Sequence, residues 1–226
     1  KLIAKSQTVE FSSIVGIIKR TQLGVLGSIY AYSGANTMYR KDALIDVGLF
    51  RQDRATEDIS IAWDHQMDGW LSLFAPRIMF FMEVPESLKM LYRQRKRWAK
   101  GGTEVWLTNF KKVFLHPFDN VGRTIMFIDQ SFSIIWSFFF WISSVIFIWS
   151  LFQFAITGNL ERIYHMLTMA FLFVCFEMIS GTFQLVASLI VDDRGRKVKY
   201  LLFAPLYMLF YWVMNALTIV TTFIPA

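Results

Sequence analysis

The sequence predicts a mixed α/β region followed by interfacial helices and α-helical transmembrane segments. Three observations lead to this. The 226 residues are 55% hydrophobic and 17% aromatic, with a positive mean hydropathy, too apolar for an ordinary soluble domain. Charge is unevenly placed: residues 1–124 hold 18 of the 23 Lys and Arg and 12 of the 17 Asp and Glu, so the net charge of +6 arises there. Finally, uncharged runs of more than 20 residues follow only after residue 124.

These bounds divide the chain into a charged part at 1–84, basic helices at 85–124 and three spans within 125–226. A basic balance suits nucleic acid, an anionic membrane surface or phosphate-bearing substrates, and beside membrane spans the last two fit better. Cys175 is the single cysteine and lies in an apolar run, so no internal disulfide forms. Lys1 stands in mid-pattern without a signal-peptide layout, so the expectation is a fragment whose N-terminal portion lies upstream.

Lys1 to Arg20 carries Leu2, Ile3, Val9, Phe11, Ile14, Ile17 and Ile18 at helical spacing and ends in the basic pair Lys19-Arg20. Tyr32 to Arg40 reads as a loop running into a short strand. Gly34 serves either a turn or a place where small residues, with Ser33, let a substrate approach the backbone. Lys41 to Val47 suits a short helix stopped by Gly48.

Thr56-Glu57-Asp58 opens the next helix, with Thr56 as N-cap and Ile59, Ala62, Trp63 and Met67 recurring until Gly69. Two carboxylates in a first turn are favoured by the helix dipole alone, so capping accounts for Glu57 and Asp58 by itself. The same dipole helps keep a carboxylate ionised, as a general base must be. Trp70 to Met82 reads as one or two short strands around Pro76, and Pro85 as the opening of a helix.

Between Lys89 and Lys112 stand eight Lys or Arg and one acid, Glu104. Leu91, Trp98 and Val105 make an apolar stripe, so the helix fits a membrane interface. Gln94, Arg97 and Trp98 fall at i, i+3 and i+4, an amide, a guanidinium and an indole on one face. Gly101-Gly102 reads as a place where this helix loosens or bends.

Spans are expected at about 127–156, 163–191 and 200–225; Ser131 to Ile156 is uncharged, and ~20 such residues cross a bilayer core. Arg194, Arg196, Lys197 and Lys199 crowd one loop, which places it and residues 1–124 on the cytoplasmic side. Glu177 in mid-span is either a functional group on a polar path or a protonated, hydrogen-bonded side chain. The three histidines are scattered, and no metal site is expected within the chain.

Three matches carry a family resemblance: Ser33-Gly34-Ala35 with Tyr39-Arg40, then Thr56-Glu57-Asp58, then Gln94-x-x-Arg97-Trp98 with Gly101-Gly102. In this order before membrane spans, they resemble the processive family 2 glycosyltransferases, which make cellulose, hyaluronan and poly-N-acetylglucosamine. Gln7 to Ser13, Ile18 to Gln22 and Arg97 to Val105 look most like the bacterial poly-β-1,6-N-acetylglucosamine branch, over about residues 1–112.

The resemblance implies an α/β GT-A-like partial domain, with residues 1–84 as its acceptor-side half, in a bacterial plasma membrane. It implies an inverting transfer of N-acetylglucosamine from UDP-GlcNAc to a growing polysaccharide. Asp58 would be the general base and Glu57 its support; Gln94 and Arg97 would hold the pyrophosphate and Trp98 the acceptor sugar. Ser33, Gly34 and Thr56 would border the substrate.

Ser60 stands where the family often has another acid. Mg2+ or Mn2+ is implied, with ligands mostly upstream of Lys1. The implied partners are the donor, the polymer, the lipid bilayer and, as an option, a small accessory membrane subunit. Nucleic acid is not among them, since the basic run faces a membrane. The competing readings are a synthase of cellulose or hyaluronan type, or a non-catalytic membrane scaffold or channel module.

Overall fold

The computed structural model describes residues 2–75, 78 and 80–224. Among these no strand forms, and the regular elements are helical. The expected α/β region is therefore corrected to an all-helical one. The two stretches that suggested strands show why. Tyr32 to Arg40 closes instead into a 3-10 turn, Gly34–Asn36. Its Asn36 N–H donates to the Ser33 carbonyl at 2.9 Å.

The described part of 70–82 forms no ladder, with Leu71, Leu73 and Phe81 almost fully exposed. A strand is defined by ladder hydrogen bonds to a neighbour, and alternation in sequence cannot supply the neighbour. Pro76, Arg77 and Met79 lie outside the described residues.

The chain opens with helix α1 (Leu2–Ser13), a wider π segment (Ile14–Ile18) and α2 (Lys19–Leu26) in direct continuation. Gly27 ends α2 with φ 63°, a left-handed cap that glycine adopts without steric penalty. α3 (Lys41–Asp46) and α4 (Glu57–Met67) follow. The next helix, α5 (Leu88–Leu115), starts at Ser87 rather than at Pro85, because the Ser87 side chain accepts from the Met90 N–H.

α6 (Val121–Ile156) and α7 (Leu160–Val191) form a hairpin joined at Gly158, φ 68°. After two 3-10 turns come α8 (Ala204–Leu206), a second π segment (Tyr207–Tyr211) and α9 (Trp212–Phe223).

Three helical stretches are long and apolar enough to cross a membrane: Val121–Ile156, Leu160–Val191 and Val198–Phe223. Their side chains stay largely exposed within the molecule, as hydrocarbon solvent permits.

Three small cores hold the rest. Ile59 and Trp63 of α4 pack with Val105 and Val113 of α5 and Phe127 of α6. Val9, Leu185 and Ala204 tie α1 to α7 and α8, while Leu91, Tyr211 and Met214 tie α5 to the last span. Gln66 clamps the connection after α2: its amide accepts from Ile29 N–H at 2.9 Å and donates to Ile29 C=O at 2.8 Å. Trp63 Nε1 donates to Tyr30 C=O at 3.0 Å, fixing the same segment. The loop carrying Ser33 and Gly34 is thereby held over the start of α4.

Candidate active site

Thr56 is the N-cap residue of α4 by backbone conformation, φ −137° and ψ 111°, yet its side chain makes no capping bond. It is buried at 1% exposure and faces α5 instead. At Gly101 of α5 an added Cβ would lie 1.8 Å from Thr56 Oγ1, and at Gly102 another would lie 2.6 Å from the Tyr30 hydroxyl. Both glycines lie inside an unbroken helix. Gly101 lets α5 approach the start of α4, and Gly102 lets it approach Tyr30, in place of the expected loosening or bending.

That approach brings the sequence motifs together. Glu57 and Asp58 from α4, and Gln94, Arg97 and Trp98 from α5, line one cavity of about 640 Å³. Ser33 and Gly34 line it too, whereas Thr56 stands behind it as a packing residue. The cavity continues between membrane helices to Gln130, Ser133, Asn215 and Thr218, a polar set along otherwise apolar spans. Glu177 is half-buried on α7 and does not border this space.

Asp58 sits where backbone amides reach it. Gly34 N–H donates to Oδ2 at 3.2 Å and Ile59 N–H to Oδ1 at 3.0 Å. Gly34 has no left-handed backbone; a Cβ there would come within 3.1 Å of Glu57 Oε1. The small residue thus makes room for the chain's own carboxylates. Burial raises the Asp58 carboxyl above its ordinary value, the Gly34 N–H opposes this, and the Glu57 charge adds to it. Glu57 points outward and meets Arg97 Nη1 at 3.9 Å, both about half exposed. Such a pair is easily opened by an anionic ligand.

On α5, Gln94 Oε1 is buried without a partner, and it borders the cavity, an acceptor left for a ligand. Trp98 is held from two sides. The Arg95 guanidinium lies 4.4 Å from its ring centroid, and Phe11 meets it edge-on at 6.4 Å. Arg95 is itself 4% exposed and paired with Glu10 of α1 at 2.5 Å.

The membrane-surface reading of the basic stretch therefore does not extend to Arg95, which is a buried structural cation. Burial raises the Glu10 carboxyl, and the Arg95 charge and hydrogen bond pull it back. Sequence spacing had no signal for this pair, since Arg95 stands among exposed cations and Glu10 lies 85 positions away. Lys19, read only as the basic end of a helix, also reaches the cavity.

Among the described residues no three His, Cys, Asp or Glu come together as a metal site. Glu57 and Asp58 stand as a pair, and the donor set that a divalent cation needs is not offered here.

A family profile described as Glycosyl transferase family group 2 matches residues 3–224. A poly-beta-1,6-N-acetyl-D-glucosamine synthase of Staphylococcus epidermidis is 34% identical over 234 residues, covering 98% of this chain and 53% of that protein. The synthase of the same name from Staphylococcus aureus strain COL is 37% identical over 135 residues, covering 60% of this chain and 32% of that protein. The chain spans about half the length of the first of these relatives. No solved structure matches it.

Proposed function

Because the chain belongs to glycosyl transferase family group 2, we propose that it serves a membrane-embedded, processive, inverting β-glycosyltransferase that polymerises N-acetylglucosamine from UDP-GlcNAc into an exported polysaccharide. One observation carries the reading: the carboxylates of α4 and the amide, guanidinium and indole of α5 border a single cavity that runs on between polar side chains of the spans.

The step follows from the residues. Asp58, ionised and held by two amides, takes the proton of the acceptor hydroxyl as that oxygen attacks the anomeric carbon. The C–O bond to phosphate breaks as the new one forms, and UDP leaves with the electron pair. Glu57 supports the charge balance at the base. Arg97, released from Glu57, presents its planar fork to the pyrophosphate together with Gln94. Trp98, braced by Arg95 and Phe11, offers a flat apolar face to the acceptor sugar.

Members of this family generally use a divalent cation, which would supply charge neutralisation at the leaving diphosphate. The described residues do not form such a site. Ligands for Mg2+ or Mn2+ are proposed to come from sequence upstream of Lys1, and no step above runs through the ion. The membrane is proposed to be the bacterial plasma membrane, with residues 1–124 on the cytoplasmic side, in keeping with the basic 194–199 loop.

The test is product identity. Membranes containing the native-length protein, supplied in turn with UDP-GlcNAc, UDP-glucose and a UDP-GlcNAc/UDP-glucuronate mixture, are expected to make a GlcNAc homopolymer in the first and third cases, without glucuronate, and no polymer in the second. The homopolymer should be cut by a β-1,6-specific hexosaminidase. A product cut by cellulase or hyaluronidase would assign the chain to another synthase type, and no product from any donor would favour a scaffold.

A further inference from the structure

Lys19 is the cation that the chemistry above leaves unused, and it stands beside the base. It opens α2 directly after the π segment Ile14–Ile18. The extra residue in a π turn offsets the helix faces before and after it, and such turns recur at functional sites. Here Phe11, Ile14, Ile18 and Lys19 all reach the cavity.

Lys19 Nζ donates to Ser33 Oγ at 2.6 Å. Ser33 begins the turn whose next N–H, that of Gly34, donates to Asp58 Oδ2. Thr37 closes the turn from the other side: its hydroxyl accepts from Ser33 N–H at 3.2 Å and donates to Ser33 C=O at 2.8 Å. Two hydrogen bonds, joined through the covalent Ser33–Gly34 backbone, thus link the Lys19 ammonium to the Asp58 carboxylate.

Taking Asp58 as the base, as read above, we propose that Lys19 is a positioning residue for sugar transfer: it anchors the Ser33–Gly34 turn against Asp58 and supplies the positive charge that favours the ionised carboxylate. The groups that interact with Asp58 are Glu57 on its own helix, Tyr39 from the loop after the turn and Lys19 from α2, while Arg97 from α5 borders the same cavity and pairs with Glu57. Arg97 and Glu57 are half exposed and pair with each other, so solvent screens them. Lys19 is the more deeply placed of the two cations, and a desolvated charge is screened less than an exposed one. Burial lowers the Lys19 ammonium from its ordinary value, and the Asp58 charge opposes this.

The experiment compares Lys19→Met, Lys19→Arg and Ser33→Ala with wild type in the native-length protein in membranes. It measures kcat and kcat/KM for UDP-GlcNAc polymerisation across the acid limb of the pH profile. Lys19→Met is expected to lower kcat about 10- to 100-fold and to move the acid limb upward by about one pH unit, because without the cation Asp58 protonates sooner. Lys19→Arg should return the limb to its wild-type position. Ser33→Ala, which keeps the cation and loses the anchor, should lower kcat with a smaller movement of the limb.

A Lys19→Met enzyme whose rate falls equally at every pH would overturn the proposal and leave Lys19 a packing residue, as would unchanged activity. Should Lys19→Met not reach the membrane, a Lys19→Arg limb displaced from wild type would overturn it equally. Asp58→Asn is run alongside. If that variant still polymerises, the reading of Asp58 fails; if it is inactive while Lys19→Met keeps the wild-type limb, only the role of Lys19 fails.

Discussion

Gly101 of α5 lies against Thr56, the residue before Glu57 and Asp58, at a separation that leaves no space for a Cβ. The contact joins two motifs 45 positions apart in sequence and sets how far Gln94, Arg97 and Trp98 stand from the carboxylates.

Gly101→Ala tests this joint. Alanine would gain up to about 1 kcal/mol in an ordinary helix. Here overpacking against a buried threonine is expected to cost about 1–3 kcal/mol, with a lower melting temperature and reduced polymer synthesis. Gly24→Ala is the control, since nothing lies within 4 Å of its added Cβ. Equal effects from the two substitutions would remove the packing explanation.

The Glu10–Arg95 pair makes a different prediction. Both side chains are about 95% buried, so Arg95→Met strands a buried carboxylate and should destabilise by about 3–5 kcal/mol. The double variant Glu10→Leu with Arg95→Met should recover most of that loss in thermal unfolding. Its acceptor use should stay impaired, because Trp98 has lost the guanidinium over its ring. Additive losses in the double variant would contradict a coupled pair.

Arg97 and Trp98 are adjacent, and the proposed function gives them separate tasks. Arg97→Ala is expected to weaken UDP binding about tenfold or more, as loss of a charge-assisted bond would. Trp98→Ala should leave UDP affinity near wild type and shorten the product. Calorimetric UDP titration and product sizing distinguish them, and a matched loss of UDP affinity in both would refute the division.

Much of this site was legible in the sequence because its chemistry restricts residue type and spacing. Thr56-Glu57-Asp58 announces a helix start, and Gln94, Arg97 and Trp98 share a face wherever a helix forms. What escaped depends on partners remote in the chain. Arg95 reads as one more surface cation until Glu10 is seen beside it, and Gly101 reads as a weak point until Thr56 is seen against it. The strands expected near Tyr32 and Trp70 failed for the same reason: alternation marks a segment able to pair, and among the described residues none pairs with it.

The raised Asp58 carboxyl gives a pH dependence of two signs. A base must be ionised, so polymerisation should decline as pH falls through the Asp58 pKa, which lies above its ordinary value. Stability runs oppositely. The folded state favours the protonated form, so the contribution of Asp58 is present below its unfolded pKa and is lost as pH rises through the raised folded one. Asp58→Asn, neutral throughout, should therefore gain in melting temperature relative to wild type as pH rises from the unfolded to the folded pKa of Asp58 and hold that gain at neutral pH. A markedly lower melting temperature at neutral pH would contradict the burial argument.

The most direct measurement takes Asp58→Asn in the native-length protein and follows polymer formation and UDP affinity on the same preparation. The asparagine keeps one oxygen to accept from one of the two amides that now reach the carboxylate, presents its NH2 to the other, and takes no proton from a hydroxyl. Polymer synthesis is expected to disappear, with UDP affinity within a few-fold of wild type. Sustained polymerisation by this variant would show that the acceptor proton leaves by another route, and the reading of the cavity would fall with it.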